Sequence, residues 1–542
     1  MPAVLLMVVT LVAVATAYRF YGAFVAARLG LSDANVTPAH TRADGVDFVA
    51  TRSPVVLGHH FASIAGAGPI VGPIVAATFG WLPAFVWILV GSIFFGAVHD
   101  LTTLTASLRH GGRTIGDIVE DYIGVSGKRL FVLFALSALI LVIGVFTDIV
   151  AKTFVARPVV AWTSVAMVAL SVSFGVATQR FRLGLGSATV LGIAGLVACA
   201  AIGSSIALTF TYTTWVLLIL AYVSVAAVVP VWLLLQPRDY LNSFLLYAML
   251  GAGVLGLFVA APSLTMAPVV TLHSEKLGFV FPILFVTVAC GAISGFHSLV
   301  ASGTTSKQLD RETDARFVGY GGMLLEAVLA VLALIAAAVL APDAYAAQVG
   351  NPIAIFAAGV GGFMASIGIP AEAGITFVAL SVSAFALTSL DTCTRLARLL
   401  LEELVTSAET RDASAHPARR YVATALVVAA GGGLTLSGKF TEAWPVFGAA
   451  NQLLAALSLL AVAVWLQHRK VKSLFVVAPM VFMFAVTLSA LGQLVWRNFH
   501  QGNWVLTTLA SVLLALALVL IAQASQSLRS AARRSNVAVE AA

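Results

Sequence analysis

Five titratable side chains stand inside long apolar runs of this 542-residue chain: His59, His60, Asp100, His297 and Glu326. Ionisable residues are costly in hydrocarbon, so each is a functional candidate by default. Imidazole changes charge near neutral pH, and a carboxylate beside it in a low-dielectric layer can exchange a proton with it. The five are expected to form an ion-coupling layer. Its coupling ion is the proton, with sodium on unwound carbonyls and Asp100 as the other choice. The competing reading is that they only hydrogen-bond neighbouring helices. Zinc on His59, His60 and His297 fits poorly, because adjacent helical residues diverge by about 100°. No metal and no cofactor is expected.

Two passages of small and helix-breaking residues lie beside these groups. The first runs from Gly58 through Gly66, Ala67, Gly68 and Pro69 to Gly72-Pro73, and the second from Gly291 through Ser294, Gly295 and Ser298 to Gly303. A break in mid-bilayer leaves backbone groups unpaired unless protein or a watery cavity satisfies them. Interrupted helices of this kind line substrate and ion sites in secondary transporters; a merely kinked packing helix is the alternative. Residues Phe296 to Gly303 laid on Phe61 to Gly68 keep Phe, Ser and Gly in place, as inverted repeats predict. Asn451 and Gln452 are neutral donors and acceptors suited to a carboxylate or amide ligand, or equally to joining helices. Asp391 is expected at a helix end, capping it or pairing with Arg395, and Arg19 to snorkel beside Tyr18 and Tyr21.

The elements that carry these residues follow from composition. Hydrophobic residues make up 60% of the chain and charged residues 10%, with mean hydropathy +1.01. A soluble domain carries roughly 25% charged residues. The apolar blocks run to about 20 residues, the length that crosses ~30 Å of hydrocarbon as a helix. The fold class is therefore all-α, a polytopic membrane protein of about fifteen transmembrane helices, some discontinuous. Residues 353–367 are short and Gly-rich, which predicts a re-entrant or interfacial segment. Period-2 alternation is absent, which excludes an outer-membrane barrel. No basic residue precedes the first apolar run, unlike a cleaved leader, so that run counts as a span. Cys199, Cys290 and Cys393 sit apart and read as small buried hydrophobes.

Charge orients the spans. With the carboxyl terminus inside, 24 of the 30 Lys and Arg fall in cytoplasmic segments and 5 outside, with Arg19 in the first span. Cytoplasmic loops are enriched in basic residues, so the amino terminus is expected outside. On this map His59, His60, Asp100, His297 and Glu326 all lie roughly 8–12 Å from the inner interface. Dispersed basic residues give no nucleic-acid face despite a net charge of +7. No segment is long or polar enough for a soluble domain, and no phosphate-cradling Gly-x-x-x-x-Gly-Lys-Ser/Thr occurs, so an ATP-hydrolysing module is excluded. From Asp391 to Arg420 an amphipathic helix at the membrane surface is expected. Residues 1–542 read as one integral membrane domain, with a core at about 18–460, further helices at 461–525 and a cytoplasmic tail at 526–542.

Several passages together resemble the carbon starvation protein A (CstA) family: Gly58 to Pro69, Pro230 to Leu241, Gly291 to His297, Ala301 to Thr305, Ala315 to Met323, Thr388 to Thr392 and Trp444 to Leu454. The resemblance implies a bacterial inner-membrane transporter associated with carbon starvation, a stress response. Family members are linked to uptake of peptides and some to proton-driven pyruvate import. It also implies kinship with the amino acid–polyamine–organocation superfamily, whose members use broken helices at the site. His99 departs from the family pattern, where Gln is more usual, and is not expected to be essential.

The expected function is a secondary active symporter that imports short peptides, or alternatively pyruvate or a similar small carboxylate. Gly66 to Pro69, Ser294, Gly295, Ser298, Asn451 and Gln452 would contact the substrate. A nutrient sensor without net transport would need an output domain that these loops are too short to form. A membrane-embedded metal enzyme is the third class. The sequence carries no signal for oligomeric state.

Overall fold

The computed structural model describes residues 1–45, 47–181, 183–203, 205–230, 232–405, 417–438 and 440–540. It is almost wholly helical; the strands among the described residues are His273–Ser274 and Gly278–Phe279, paired antiparallel. Helices dominate because a spanning segment must satisfy its backbone internally. Apolar side chains cover the outside: Phe20, Leu474 and Trp496 are 66%, 75% and 70% exposed. A surface this apolar faces lipid.

Eleven helices are long and apolar enough to cross a membrane, and a bent pair, Ser53–Ile64 with Gly68–Phe79, makes up to twelve. The expectation of about fifteen exceeds this by three segments. Tyr212–Val228 is shorter than the rest, residues 280–303 are interrupted twice, and Pro417–Leu436 borders undescribed chain. Residues 353–367 correspond to a short apolar helix, Pro352–Ala365. The carboxyl-terminal helix Trp504–Glu540 continues through most of the expected tail; the side chains of Ala524 and from Ser527 onward lie outside the described residues.

Twelve helical segments enclose the buried polar groups. They are α1 (Ser53–Ile64), α2 (Gly68–Ala76), α3 (Trp81–Arg109), α4 (Val125–Ala156), α5 (Tyr212–Val228) and α6 (Leu235–Ala260). There follow α7 (Val280–Thr287), α8 (Ala289–Ala292), α9 (Gly295–Gly303), α10 (Arg316–Ala338), α11 (Ala371–Val405) and α12 (Trp444–His468). In α10 and α12 the most apolar window is 89% and 100% buried, against 28% for Ala3–Leu29, so these two form the centre and the chain ends lie outside them.

The second span breaks between α1 and α2 with a 49° bend. Pro69 has no N–H to donate to the Ala65 carbonyl, and in a continuous helix its ring would collide with that carbonyl, so Pro69 sits in the first turn of α2. The segment 280–303 breaks at Val288 and again at Ile293 and Ser294, the latter two extended. The two interruptions touch. A Cβ on Gly68 would stand 2.4 Å from Cys290 Sγ, and one on Gly72 would stand 2.6 Å from the Thr287 carbonyl. The weak repeat misplaces its registration, however. Ala65–Ala67 is a break, whereas residues 295–303 are continuous helix; Pro69 interrupts the first passage, and Phe296–Gly303 has no proline.

Candidate functional site

Asp100, His297 and Glu326 come from α3, α9 and α10, and none is exposed. His297 Nδ1 lies 2.8 Å from Asp100 Oδ2, and His297 Nε2 lies 3.2 Å from Glu326 Oε2. The second contact is close but not aligned as a hydrogen bond, and both Glu326 oxygens lack hydrogen-bond partners among the described residues. An imidazole facing carboxylates at both nitrogens is satisfied only when one extra proton is present. That proton sits on the ring or on the Glu326 carboxyl. Such an arrangement can hold one extra proton away from solvent.

Unusual backbone positions the two acids. The helices carrying Asp100 and Glu326 each contain a wide π turn, Ser92–Gly96 and Arg316–Tyr320. A π turn shifts the ladder and frees a carbonyl. Tyr320 Oη donates to the carbonyl of Ile93 at 3.1 Å, so the two turns are tied together.

The remaining expected ion-coupling residues divide. His60 is buried, with Nδ1 2.8 Å from Thr305 Oγ1. Its ring rests on Gly322, one helical turn before Glu326. His59 instead points to Asp239 of α6, at 3.8 Å. The 100° divergence of neighbours on a helix thus sends the two histidines of α1 to different clusters. Among the described residues no three or more His, Cys, Asp or Glu side chains are arranged to hold a metal ion. His99, set aside in the sequence, is buried beside Asp100, with Nδ1 2.8 Å from Oδ1.

The expected substrate residues line the breaks. Asn451 Oδ1 accepts from the Phe296 N–H at 3.0 Å and from Ser294 Oγ at 3.2 Å. Gln452 Nε2 donates to the Phe285 carbonyl at 2.8 Å. In this conformation both hold the broken span together. Ser298 Oγ lies 2.8 Å from Ser458 Oγ. A Cβ on Gly295 would stand 2.4 Å from the Asn451 carbonyl, so only glycine lets α9 approach α12 this closely. A Cβ on Gly66 would stand 2.7 Å from Phe146 and Ser389, and Ser389 Oγ donates to the Ser63 carbonyl at 3.2 Å. Ala67, Gly68 and Pro69 are buried at the same break.

A second charged cluster was missed. Asp391 is not at a helix end: it lies inside the 35-residue α11, fully buried, and α11 continues through Val405. The surface helix expected from Asp391 therefore begins as buried span, and residues 406–416 lie outside the described residues. Asp391 accepts from Arg238 and, at 2.7 Å, from Tyr222 Oη. Arg395 donates instead to the carbonyls of Ala226 and Val229. Arg238, counted among loop charges, is in the first turn of α6 and 2% exposed. Arg238 Nη2 donates to Asp239 at 3.2 Å. The available signal was Arg238-Asp239 running straight into an apolar stretch. Arg19 is exposed, as a snorkelling residue requires.

The family described as "Carbon starvation protein CstA" matches residues 2–352 and 346–490. The chain belongs to this family. The peptide transporter CstA of Campylobacter jejuni is 33% identical over 569 residues, covering 91% of this chain and 80% of that protein. The peptide transporter CstA of Escherichia coli is 34% identical, over 88% and 78% of the two chains. The pyruvate/proton symporter BtsT of Escherichia coli is 39% identical over 347 residues, 61% of this chain and 48% of that protein. The CstA family member described here is thus a multi-pass membrane transporter.

Proposed function

We propose that this transporter is a proton-coupled secondary symporter importing short peptides across the bacterial inner membrane. The observation that carries the coupling is the buried Asp100–His297–Glu326 line. It stores one proton where three helices meet, beside two interrupted spans. A proton held there can be exchanged only through a conformational change, because all three side chains are closed to solvent. In an alternating-access carrier that change also moves substrate. Peptide is the first reading because relatives covering most of the chain are named peptide transporters. Pyruvate is the second, supported by the relative named a pyruvate/proton symporter.

The same reading includes fifteen crossings, an outside amino terminus, an inside carboxyl terminus and an architecture of the amino acid–polyamine–organocation type. The 24:5 charge split and the touching breaks support it. Residues Gly66 to Pro69, Ser294, Gly295, Ser298, Asn451 and Gln452 would flank the substrate once the breaks open, with His60 beside the proton store. The test is uptake of labelled dipeptide and of pyruvate into proteoliposomes under an imposed pH gradient, with a sodium gradient as the control. Uptake that follows the sodium gradient alone removes proton coupling, and uptake of neither solute removes the substrate reading.

A further inference from the structure

A solute with a carboxylate needs a fixed cation inside the membrane, preferably a guanidinium, whose planar fork matches two carboxylate oxygens. Three cations are less than nine per cent exposed among the described residues: Lys128, Arg238 and Arg398. Lys128 is held by Asp117, Glu120 and Glu403, and Arg398 faces Glu402. Arg238 is the most buried of the three, and its neighbours reach the broken helix. Asp391 sits on α11 two residues from Ser389, which caps the Ser63 carbonyl at the break. His59 of α1 faces Asp239.

The Arg238 cluster is incompletely paired. Arg238 Nε and Asp391 Oδ1 are buried without hydrogen-bond partners among the described residues. Asp391 therefore engages the guanidinium through one oxygen only. Tyr222 Oη, 2.7 Å from both Arg238 Nη1 and Asp391 Oδ2, bridges the two atoms already paired, so Nε and Oδ1 stay open. The charged and titratable groups facing this pair are Asp239 of α6, His59 of α1, Tyr222 of α5 and, on α11 itself, Arg395. One guanidinium already serves two carboxylates.

We propose that Arg238 receives the carboxylate of the substrate and that Asp391 occupies that place when substrate is absent. The incoming carboxylate displaces Asp391 from the guanidinium, and Asp391 takes a proton from the aqueous phase that admitted the substrate. The charge of the closed site is then unchanged: one carboxylate and one proton enter together. Without that proton, three carboxylates would share one cation in a low-dielectric site. This inference rests on the reading that the chain carries a carboxylate-bearing solute. It places a second protonation event at the substrate, distinct from the His297 store, with α1 touching both through His59 and His60.

The test compares the full-length wild type and the charge-neutral Arg238→Gln/Asp391→Asn variant in proteoliposomes. Labelled pyruvate and a labelled dipeptide are each offered against their carboxamide analogues. The double variant removes both charges in near-isosteric form and keeps the net charge of the cluster, and Asp239 retains His59 at 3.8 Å; the thermal midpoint of the variant checks that it stays folded. A rise in KM on the order of a hundredfold, with loss of preference for carboxylate over carboxamide, is expected from loss of a charge-assisted pair. Wild-type KM and wild-type preference in the double variant overturn the inference while leaving the transport reading intact. Wild-type protein that carries neither solute overturns both. A second measurement needs no variant: an apolar carbodiimide adds to protonated buried carboxyls, and its adduct on Asp391 is read by mass spectrometry. Substrate is expected to raise that labelling several-fold, and unchanged or lowered labelling overturns the exchange.

Discussion

Replacing Glu326 with Gln keeps the shape of the side chain and removes its capacity to hold a proton. The structure sets the scale. Glu326 Oε2 is 3.2 Å from His297 Nε2. Full charges at that distance attract by about 5 kcal/mol at an effective dielectric of about 20. Burying two ions costs several kcal/mol each. These terms are of similar size, so imidazolium–carboxylate and imidazole–carboxylic acid lie close in free energy, as a reversible proton store requires. The amide cannot accept the proton, and His297 is left with Asp100 alone. One coupled proton supplies about 1.4 kcal/mol per pH unit, or roughly tenfold accumulation. In proteoliposomes with a one-unit gradient, Glu326→Gln is expected to equilibrate solute without concentrating it. Counterflow exchange continues, since it needs no net proton movement. The thermal midpoint in detergent stays near wild type, because no charge is left unpaired. Wild-type accumulation by this variant would refute the assignment of the store to Glu326.

Three further outcomes follow from the geometry. Gly68→Ala places a methyl 2.4 Å from Cys290 Sγ and 2.7 Å from its Cβ, so uptake is lost and Cys290→Ala does not restore it; restoration would show that the breaks are not in rigid contact. Asn451→Ala leaves the Phe296 N–H and Ser294 without their acceptor and lowers stability by about 1–3 kcal/mol, read as a fall in the fluorescence-detected melting temperature. Asp117 lies on the helix Ile115–Ile123, outside the spans. Burial pushes its carboxyl up, but the hydrogen bond and charge of Lys128, with Arg113 and Thr114, outweigh that and hold it below the usual range. A depressed folded value means stabilisation that is present above the unfolded value of about 3.9 and fades as pH falls through the folded one. Wild type therefore loses melting temperature on acidification below about pH 4. Asp117→Asn starts lower at neutral pH and changes less over that window; equal slopes would refute the pairing with Lys128.

The helical, lipid-embedded character of the chain was legible from residue types alone, since 60% hydrophobic and 10% charged content leaves no other solvent. The same holds for Asp100, His297 and Glu326. A charge inside an apolar run is conspicuous because lipid tolerates it only against a partner, and helical rise placed all three at one depth before any contact was known. The breaks were legible from Gly66 to Pro69 and Gly291 to Gly303. Depth along a helix says nothing of azimuth, however, and azimuth needs the packing of neighbours. His59 and His60 share a level, yet the rotation between them sends one to Asp239 and the other to Thr305 and Gly322. Asp391 looked like a helix end because basic residues follow it. Only the docking of α6 against α11 shows that Arg238 and Asp391 neutralise each other inside the protein. Asn451 and Gln452 read equally as ligand or packing residues, and only the position of the broken span shows that in this conformation they bind the Phe296 N–H and the Phe285 carbonyl. Pairing across helices is decided by which faces meet, and that information is in no single segment.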